Sequence, residues 1–457
     1  MTQNGYSFTA VYANSGFDAW YPELWAQESL MILEANMVAA NLVHRDFEPL
    51  IAAYGDVVNT RSLGSFTARR KGVNDDVTVQ TATATNVPVT LDQHLHSSFL
   101  IRDGEDSKSF KSLVDEYLYP AILSIAEAMD QTVLMEKYNF LDNCVGKLGT
   151  AATASTVIAL DEAMNILKVP VLGRNCVLSP GLNADLLGVS DFMNANTVGD
   201  DGSALRAGNL GTKFGVTFFM DQFNRAVASG SSTHTALVND SDGIPAASTT
   251  VGFDGATGTP VAGEWCTIAG DMTPQLITAN TGGNLTIDPG LRTAVANNAA
   301  ITFYTKGAIN YTADYAAGEI DDMVTDGFTV APKQGQIFSL DTDGTGDRYG
   351  LLDTPTTIAS RLNRPLDSAA LNDAVVGLGP AGEYGFAFNR QAIALVVRPL
   401  AAPRAGAGAL SAVVNYNGLS IRVVITYDGD KQGHLVTVDC LCGVKTLNTD
   451  LGVVVLG

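Results

Sequence analysis

SKSFKSLVDEYLYPAILSIAEAMDQTVLMEK, residues 107–137, is the stretch whose reading decides the architecture. Phe110, Leu113, Val114, Tyr117, Leu118, Ala121, Ile125, Met129 and Val133 recur at helical spacing and draw one apolar stripe, the pattern of a helix that buries one face. Ser107 stands where an N-cap is wanted. The stripe predicts a helix of 31 residues, about 46 Å long and well beyond the usual three turns. Pro120 removes a backbone donor and crowds the preceding turn, so a bend is expected near the middle. A long, bent, amphipathic helix is a spine on which other elements are laid.

Upstream of the spine, Gly55, Gly64 and Gly72 punctuate an alternating stretch that includes Val57, Val58, Phe66, Val73, Val77, Val79, Val87, Val89 and Leu91. This reads as a long two-stranded ribbon over residues 55–100. An isolated ribbon is marginal in water and has exposed edges, so it must lie on its own domain or on a neighbour. Residues 57–73 carry Arg61, Arg69, Arg70 and Lys71 and no acid. The segment is either a solvated loop tip or a basic arm that docks on an acidic neighbour. Further upstream, Leu24, Leu30, Leu33, Met37 and Leu42 mark a second amphipathic helix, with Pro22 in its first turn.

Downstream, Val157, Leu160, Met164 and Leu167 predict a helix capped at Ser155 or Thr156. A short strand is expected at 174–180, a small helix at 184–187 and another strand at 213–220. Residues 229–347 are rich in Gly, Ser, Thr and Ala and hold 14 acids against 3 bases, a net of −11. They read as an inserted all-β module, a small barrel or sandwich; Trp265, Phe303, Tyr304 and Phe338 need burial and argue against a disordered loop. Toward the end, residues 383–388 lead into a short helix at 390–397. A hairpin follows at 419–427 and 434–441, and residues 452–456 close the chain.

Composition narrows the function. The chain has 457 residues, a prior for two to four domains. It is 46% hydrophobic, enough for real cores, and only 16% charged, below the usual quarter. Low surface charge suits a protein covered by its neighbours. The net charge of −21 disfavours specific nucleic-acid binding and anionic membranes. The opening MTQNGYSFTA has no secretory pattern. Five scattered cysteines, Cys144, Cys176, Cys266, Cys440 and Cys442, read as reduced thiols.

No G-x-S-x-G, Walker-type or dinucleotide-binding glycine pattern occurs, and none of His44, His94, His96, His234 and His434 sits in a context that marks a base. Two patterns resemble metal sites. His94-Leu95-His96 puts two imidazoles on one strand face, and reads more simply as a surface or cross-strand pair. Asp341, Asp343, Gly344 and Asp347 suggest a calcium loop, but the glycine is misplaced and the bidentate glutamate is missing. Cys440 and Cys442 share a strand face and read as core. No cofactor or metal is expected, and no enzyme.

The order of elements, together with several stretches, resembles a known family. The stretches are Glu23-Leu24-Trp25, Asn41-Leu42-Val43-His44-Arg45-Asp46, residues 85–94 (TNVPVTLDQH), Leu118-Tyr119-Pro120-Ala121-Ile122 running on to residues 126–130, Phe388-Asn389-Arg390-Gln391-Ala392, and residues 439–444 (DCLCGV). They resemble the major capsid proteins of tailed double-stranded DNA bacteriophages with the HK97-like fold. The branch they look most like is that of the short-tailed enterobacterial phages, whose coat protein carries an inserted β-barrel domain.

The resemblance implies an α+β fold with a fixed division of the chain. Residues 1–54 would be an N-terminal arm, 55–103 an extended loop, and 104–148 a peripheral domain with the spine helix. Residues 149–228 and 348–385 would form an axial domain around the inserted all-β domain, 229–347, and residues 386–457 would complete the peripheral domain. It implies a structural subunit that assembles into hexamers and pentamers of an icosahedral head, with a scaffolding protein and a portal as assembly partners. Packaged DNA would be enclosed without specific binding. The place would be the virion, after assembly in the host cytoplasm, with no membrane. Arg61, Arg69, Arg70 and Lys71 would then lie at a subunit interface. The alternative is another virion subunit, a tail tube or decoration protein; a tube or sheath would carry more β-sandwich and no 31-residue spine.

Overall fold

A computed structural model describes residues 16–47, 52–62, 66–73, 76–77, 79–80, 85–102, 117–193, 208–224, 227, 234–311, 314–319, 322–340, 346–352, 359–404 and 409–457. The fold is α+β and rich in strand, with one closed barrel.

The spine is an α-helix over Tyr119–Met135, continued by a 3-10 turn, Glu136–Phe140. Tyr117 and Leu118, just before it, are wound as π helix. Pro120 is near the start of the described α-helix, directly after these π-wound residues; residues 107–116 of the expected spine, on which a bend at Pro120 depends, lie outside the described residues. Phe110, Leu113 and the proposed cap Ser107 lie outside the described residues. The N-terminal helix, Gly16–Asn36, packs on the spine, and a second short helix, Ala39–Leu42, follows after a break.

The spine and the helix Gly16–Asn36 cover a five-stranded sheet built on the long strand Gly433–Thr446. One edge of that strand takes Gln93–Arg102; the other takes Leu419–Asp428 and then Ile393–Arg398. Ala409–Tyr416 completes the sheet outside Leu419–Asp428. Two expectations are corrected here. Residues 93–102 belong to this sheet and not to the extended loop, because Cys442 pairs with Gln93 and Gly433 with Arg102 along a ten-residue register. The expected helix at 390–397 is a 3-10 turn, Arg390–Ala392, followed by the strand Ile393–Arg398. All six strand residues are buried. A strand covered on both faces shows no alternation, so its apolar run mimics a buried helix.

The mixed domain is a six-stranded sheet in the order Cys144–Gly146, Gly452–Leu456, Tyr384–Asn389, Arg174–Leu178, Val216–Met220, Thr212–Lys213. The helix Ala154–Ile166 packs on it through Val157, Leu160 and Met164. The closing strand Gly452–Leu456 therefore belongs to this sheet and not to the peripheral domain, as does Cys144–Gly146. Five consecutive residues from Gly452 to Leu456 are buried, and a two-sided site in a sheet interior is the place for such a run.

The inserted region folds as two all-β units. The closed barrel comprises His234–Val238, Thr250–Asp254, Trp265–Ile268, Gln275–Asn280, Asn284–Asp288 and Ala300–Phe303. Its interior is filled by Val238, Val251, Ile268, Ile277, Leu285 and Ile301, among others. The second unit is a six-stranded sheet that runs from Lys306–Ile309 to Val375–Leu378. Its strands Asp347–Gly350, Ala359–Ser360 and Val375–Leu378 fall in residues 348–385 or on their edge, where a return to the axial domain was expected. The chain re-enters the mixed sheet at the strand Tyr384–Asn389.

Candidate subunit interface

The ribbon is Val57–Ser62 paired antiparallel with Thr85–Thr90, Val57 opposite Thr90 and Ser62 opposite Thr85. Its base is seated on the five-stranded sheet around Gly433–Thr446. Val58, Val89 and Leu91 pack with Ala394, Val396 and Leu441. The turn into it is pinned by Asp56: Leu91 N donates to its carbonyl oxygen at 2.8 Å and Ala53 N to its Oδ2 at 2.7 Å. Gly443, on the long strand, lies so close to Thr90 that any Cβ would strike its carbonyl oxygen. Glycine is needed there for close backbone approach.

Away from the base the ribbon loses its cover. Asn86 Nδ2 donates to Asn59 Oδ1 at 2.9 Å, and Arg61, opposite Asn86, is exposed. Farther out, Thr67 N donates to Gln80 Oε1 at 3.0 Å, holding the two runs side by side. Around and beyond this contact Phe66 is 65% exposed, Val73 100%, Val77 72% and Val79 88%. Four large apolar side chains in solvent on one projecting arm are not the scattered singles of an ordinary surface. Arg69, Arg70 and Lys71 are exposed beside them, and no ion pair among the described residues includes these or Arg61. The arm thus presents cations and apolar surface together.

The spine residues do something else. Tyr117 stacks on Phe99 with ring centroids 5.8 Å apart, and Phe99 stacks on Trp25 at 6.1 Å. Ile125 and Met129 are buried in one core with Leu30, Leu33 and Val444, while Pro120 is exposed. Asp130 is fully buried on the spine. Its Oδ2 accepts from Val38 N at 2.6 Å and its Oδ1 from Ala40 N at 2.8 Å, so it caps the helix Ala39–Leu42. Burial, helped by the Asp221 charge, pushes its pKa up to about 7.

The candidate metal pairs resolve into other contacts. His94 Nε2 lies 3.2 Å from Asp439 Oδ2, and Asp439 is engaged by Arg422, whose Nε donates to Oδ1 at 2.9 Å. The His96 ring is 6.3 Å from that of His94. Among the described residues no group of three or more His, Cys, Asp or Glu could hold a metal ion. Asp341, Asp343 and Gly344 lie outside the described residues. Cys440 and Cys442 are buried, and the hydrogen bond between them together with burial raises the Cys442 pKa well above that of a free thiol. A cleft of about 620 Å³ beside the barrel is lined by Asp142, Asp288, Arg348, Arg364, Asp367 and Lys445. These charges pair with one another, Arg348 with Asp142 at 3.0 Å and Arg364 with Asp367 at 2.7 Å.

Sequence reasoning missed the contacts that seat the barrel. Arg292 Nη1 donates to Cys144 O at 2.8 Å and its Nη2 to Gly146 O, gripping the edge strand of the mixed sheet. Arg348 joins Asp142 to Asp288 of the barrel. Nothing in the local sequence sets either arginine apart. The sequence reading that the ribbon must lie on its own domain or on a neighbour left open which; Phe66, Val73, Val77 and Val79 are not covered by the chain's own described residues.

No protein-family model matches the chain, and no curated protein matches it. Solved structures similar to it include one of mycobacterium phage Che8, at 14% identity and a TM-score of 0.42, covering 92% of this chain and 90% of that one. The capsid of cyanophage P-SCSP1u gives 11% identity and a TM-score of 0.42 over 92% and 88% of the two chains. The mature capsid of bacteriophage PhiM1 gives 9% and 0.39 over 92% and 87%.

Proposed function

We propose that this chain is a major capsid protein, a shell-building subunit of a tailed-phage head. The observation that carries the reading is the arm: a ribbon anchored at its base, bearing exposed Phe66, Val73, Val77 and Val79 beside Arg61, Arg69, Arg70 and Lys71. Such surface is stable when another copy covers it. Burying apolar area yields about 25 cal/mol per Å², while each rim ion pair adds about 0–1 kcal/mol. The arm of one copy reaching a different patch on the next is a heterologous contact, which closes into rings when the rotation allows. Weak contacts repeated around a closed lattice suffice, and they let misplaced subunits leave.

The remaining parts of the reading follow from charge. A chain of net charge −21 makes a wall that does not hold phosphates, so enclosed DNA stays free to move. Hexamers and pentamers, a scaffolding protein and a portal belong to this proposal. No helix among the described residues is long and apolar enough to cross a membrane.

The test is electron microscopy of the chain expressed alone and with a candidate scaffolding protein. Closed shells or capsomer rings are expected. Reversing charge with Arg69→Glu and Arg70→Glu together should abolish closed shells and leave the subunit folded. Normal particles from that variant would remove the arm from the interface, and a persistent monomer from the unmodified chain would overturn the capsid reading.

A further inference from the structure

ALSAVVNY, residues 409–416, forms a sheet edge that is left open. The strand Ala409–Tyr416 pairs with Leu419–Asp428 on one side, in an unbroken register from Ala409 opposite Thr426 to Tyr416 opposite Leu419. The two strands are joined by Asn417 and Gly418, at φ of 50° and 72°. Such a two-residue turn closes on a hydrogen-bonded pair, here Tyr416 with Leu419. Bonding alternates back along the strand, so Val414, Ala412 and Leu410 also bond inward. Ala409, Ser411, Val413 and Asn415 turn their N–H and C=O groups outward. Among the described residues nothing bonds to those outward groups.

Open edges invite another strand, and proteins guard them with charge, proline, shortness or closure. The other sheet edges among the described residues are guarded. The barrel is closed, and both six-stranded sheets end in strands of two to four residues. The ribbon carries Arg61 and Pro88. In the five-stranded sheet, Gln93–Arg102 bears two histidines and Arg102. Ile393–Arg398 is bridged by His44, whose N donates to Ile393 O at 3.1 Å. Ala409–Tyr416 is eight residues long and has no charge, no proline and no bulge. It also leaves Leu410 43% and Tyr416 63% exposed, on the face where Ala412 and Val414 enter the core.

We propose that this edge pairs with the same edge of a second copy, antiparallel about a two-fold axis at Val413. The proposal rests on the reading of the chain as a subunit that meets its own copies, and it adds a contact that the arm does not make. Self-complementarity identifies the occupant. A two-fold axis perpendicular to the sheet keeps the same face up in both copies, so odd residues oppose odd and even oppose even. With the axis at Val413, the outward groups of Val413 meet those of its copy, and those of Ser411 meet Asn415. This gives about six backbone hydrogen bonds. The same register sets Leu410 opposite Tyr416 of the second copy and Ala412 opposite Val414. The two exposed apolar side chains of the edge thus cover each other, twice over, as aromatic–aliphatic cross-strand pairs. Charge points the same way. Copies of a chain with net charge −21 repel one another, and this strand lets them meet without setting like charges face to face.

The experiment is cysteine trapping in the full-length chain, whose five native cysteines are buried. Val413→Cys places two thiols on Cα atoms about 5.5 Å apart, within disulfide reach. Oxidised shells of this variant should yield a disulfide-linked dimer on a non-reducing gel. Ala409→Cys should yield at least tenfold less, because its two copies would stand roughly 26 Å apart along the strands. Leu410→Cys and Tyr416→Cys should link copies only when combined in one chain. Val413→Pro removes an outward N–H and leaves the ladder to Leu419–Asp428 intact, so the subunit should keep its circular dichroism while shell yield falls about tenfold or more. Shells that form but give no Val413→Cys dimer overturn the edge pairing and leave the capsid reading standing, as does a folded Val413→Pro chain that assembles normally. A chain that forms no shells removes the capsid reading instead. The oxidation is then read on the free chain at the same concentration, where a dimer with this register upholds the pairing and its absence overturns it.

Discussion

Buried carboxylates set how this molecule responds to pH. Asp92 is 4% exposed, and burial pushes its pKa up to about 7, against the one side-chain hydrogen bond it receives from Gln93 at 2.6 Å. Asp130 is raised to about 7 as well. In each case the fold favours the protonated acid, whereas the unfolded chain ionises near the ordinary value of 3.8. Between about pH 4 and about pH 7 unfolding therefore releases protons, so stability falls as pH rises and levels off above that window. Urea midpoints should be higher near pH 5 than near pH 7. Asp92→Asn and Asp130→Asn should each flatten the slope, since the amide imitates the neutral acid; a wild-type midpoint that does not change between the two pH values would contradict this.

At the scale of elements, the ribbon depends on a missing side chain. Gly443 lets Thr90 lie directly on the long strand Gly433–Thr446. Gly443→Ala should force the two backbones apart and cost about 1–3 kcal/mol, the range for overpacking, read as a lower denaturation midpoint. Because the ribbon base would move with it, shells should also form less completely. Unchanged stability would mean that the ribbon is seated by Val58, Val89 and Leu91 alone. The strand Ile393–Arg398 teaches a related point. Ile393-Ala394-Leu395-Val396-Val397 is buried between the helices on one side and the ribbon base on the other, so its sequence carries no period to read.

For the whole molecule, the barrel is attached by a few specific contacts. Arg292 grips the carbonyls of Cys144 and Gly146, and Arg348 bridges Asp142 and Asp288. Arg292→Ala should cost about 1.5–3 kcal/mol, the loss of a charged donor from two half-buried carbonyls. Amide exchange should quicken along the mixed-sheet edge, with the barrel interior unaffected because its core is its own. Equal loosening of both would show that barrel and sheet unfold as one unit.

What the sequence determined by itself was whatever depends on near neighbours. The apolar stripe through Ile125 and Met129 specified a helix, the apolar run at 419–427 specified a strand, and the Gly-, Ser-, Thr- and Ala-rich composition of 229–347 pointed to β structure there, though not to its division into a barrel and a second sheet that runs on to Leu378. The cations Arg61, Arg69, Arg70 and Lys71 were also visible, as a +4 run in an acidic chain. What only the tertiary structure decided was pairing across long separations. Residue 93 meets residue 442, the closing strand joins the mixed sheet, and Lys137 meets Asn224. The reason is physical: local order follows from the spacing of side chains along one segment, which the sequence displays. Which distant segments meet depends on how all the buried faces fit at once, and no single segment carries that information.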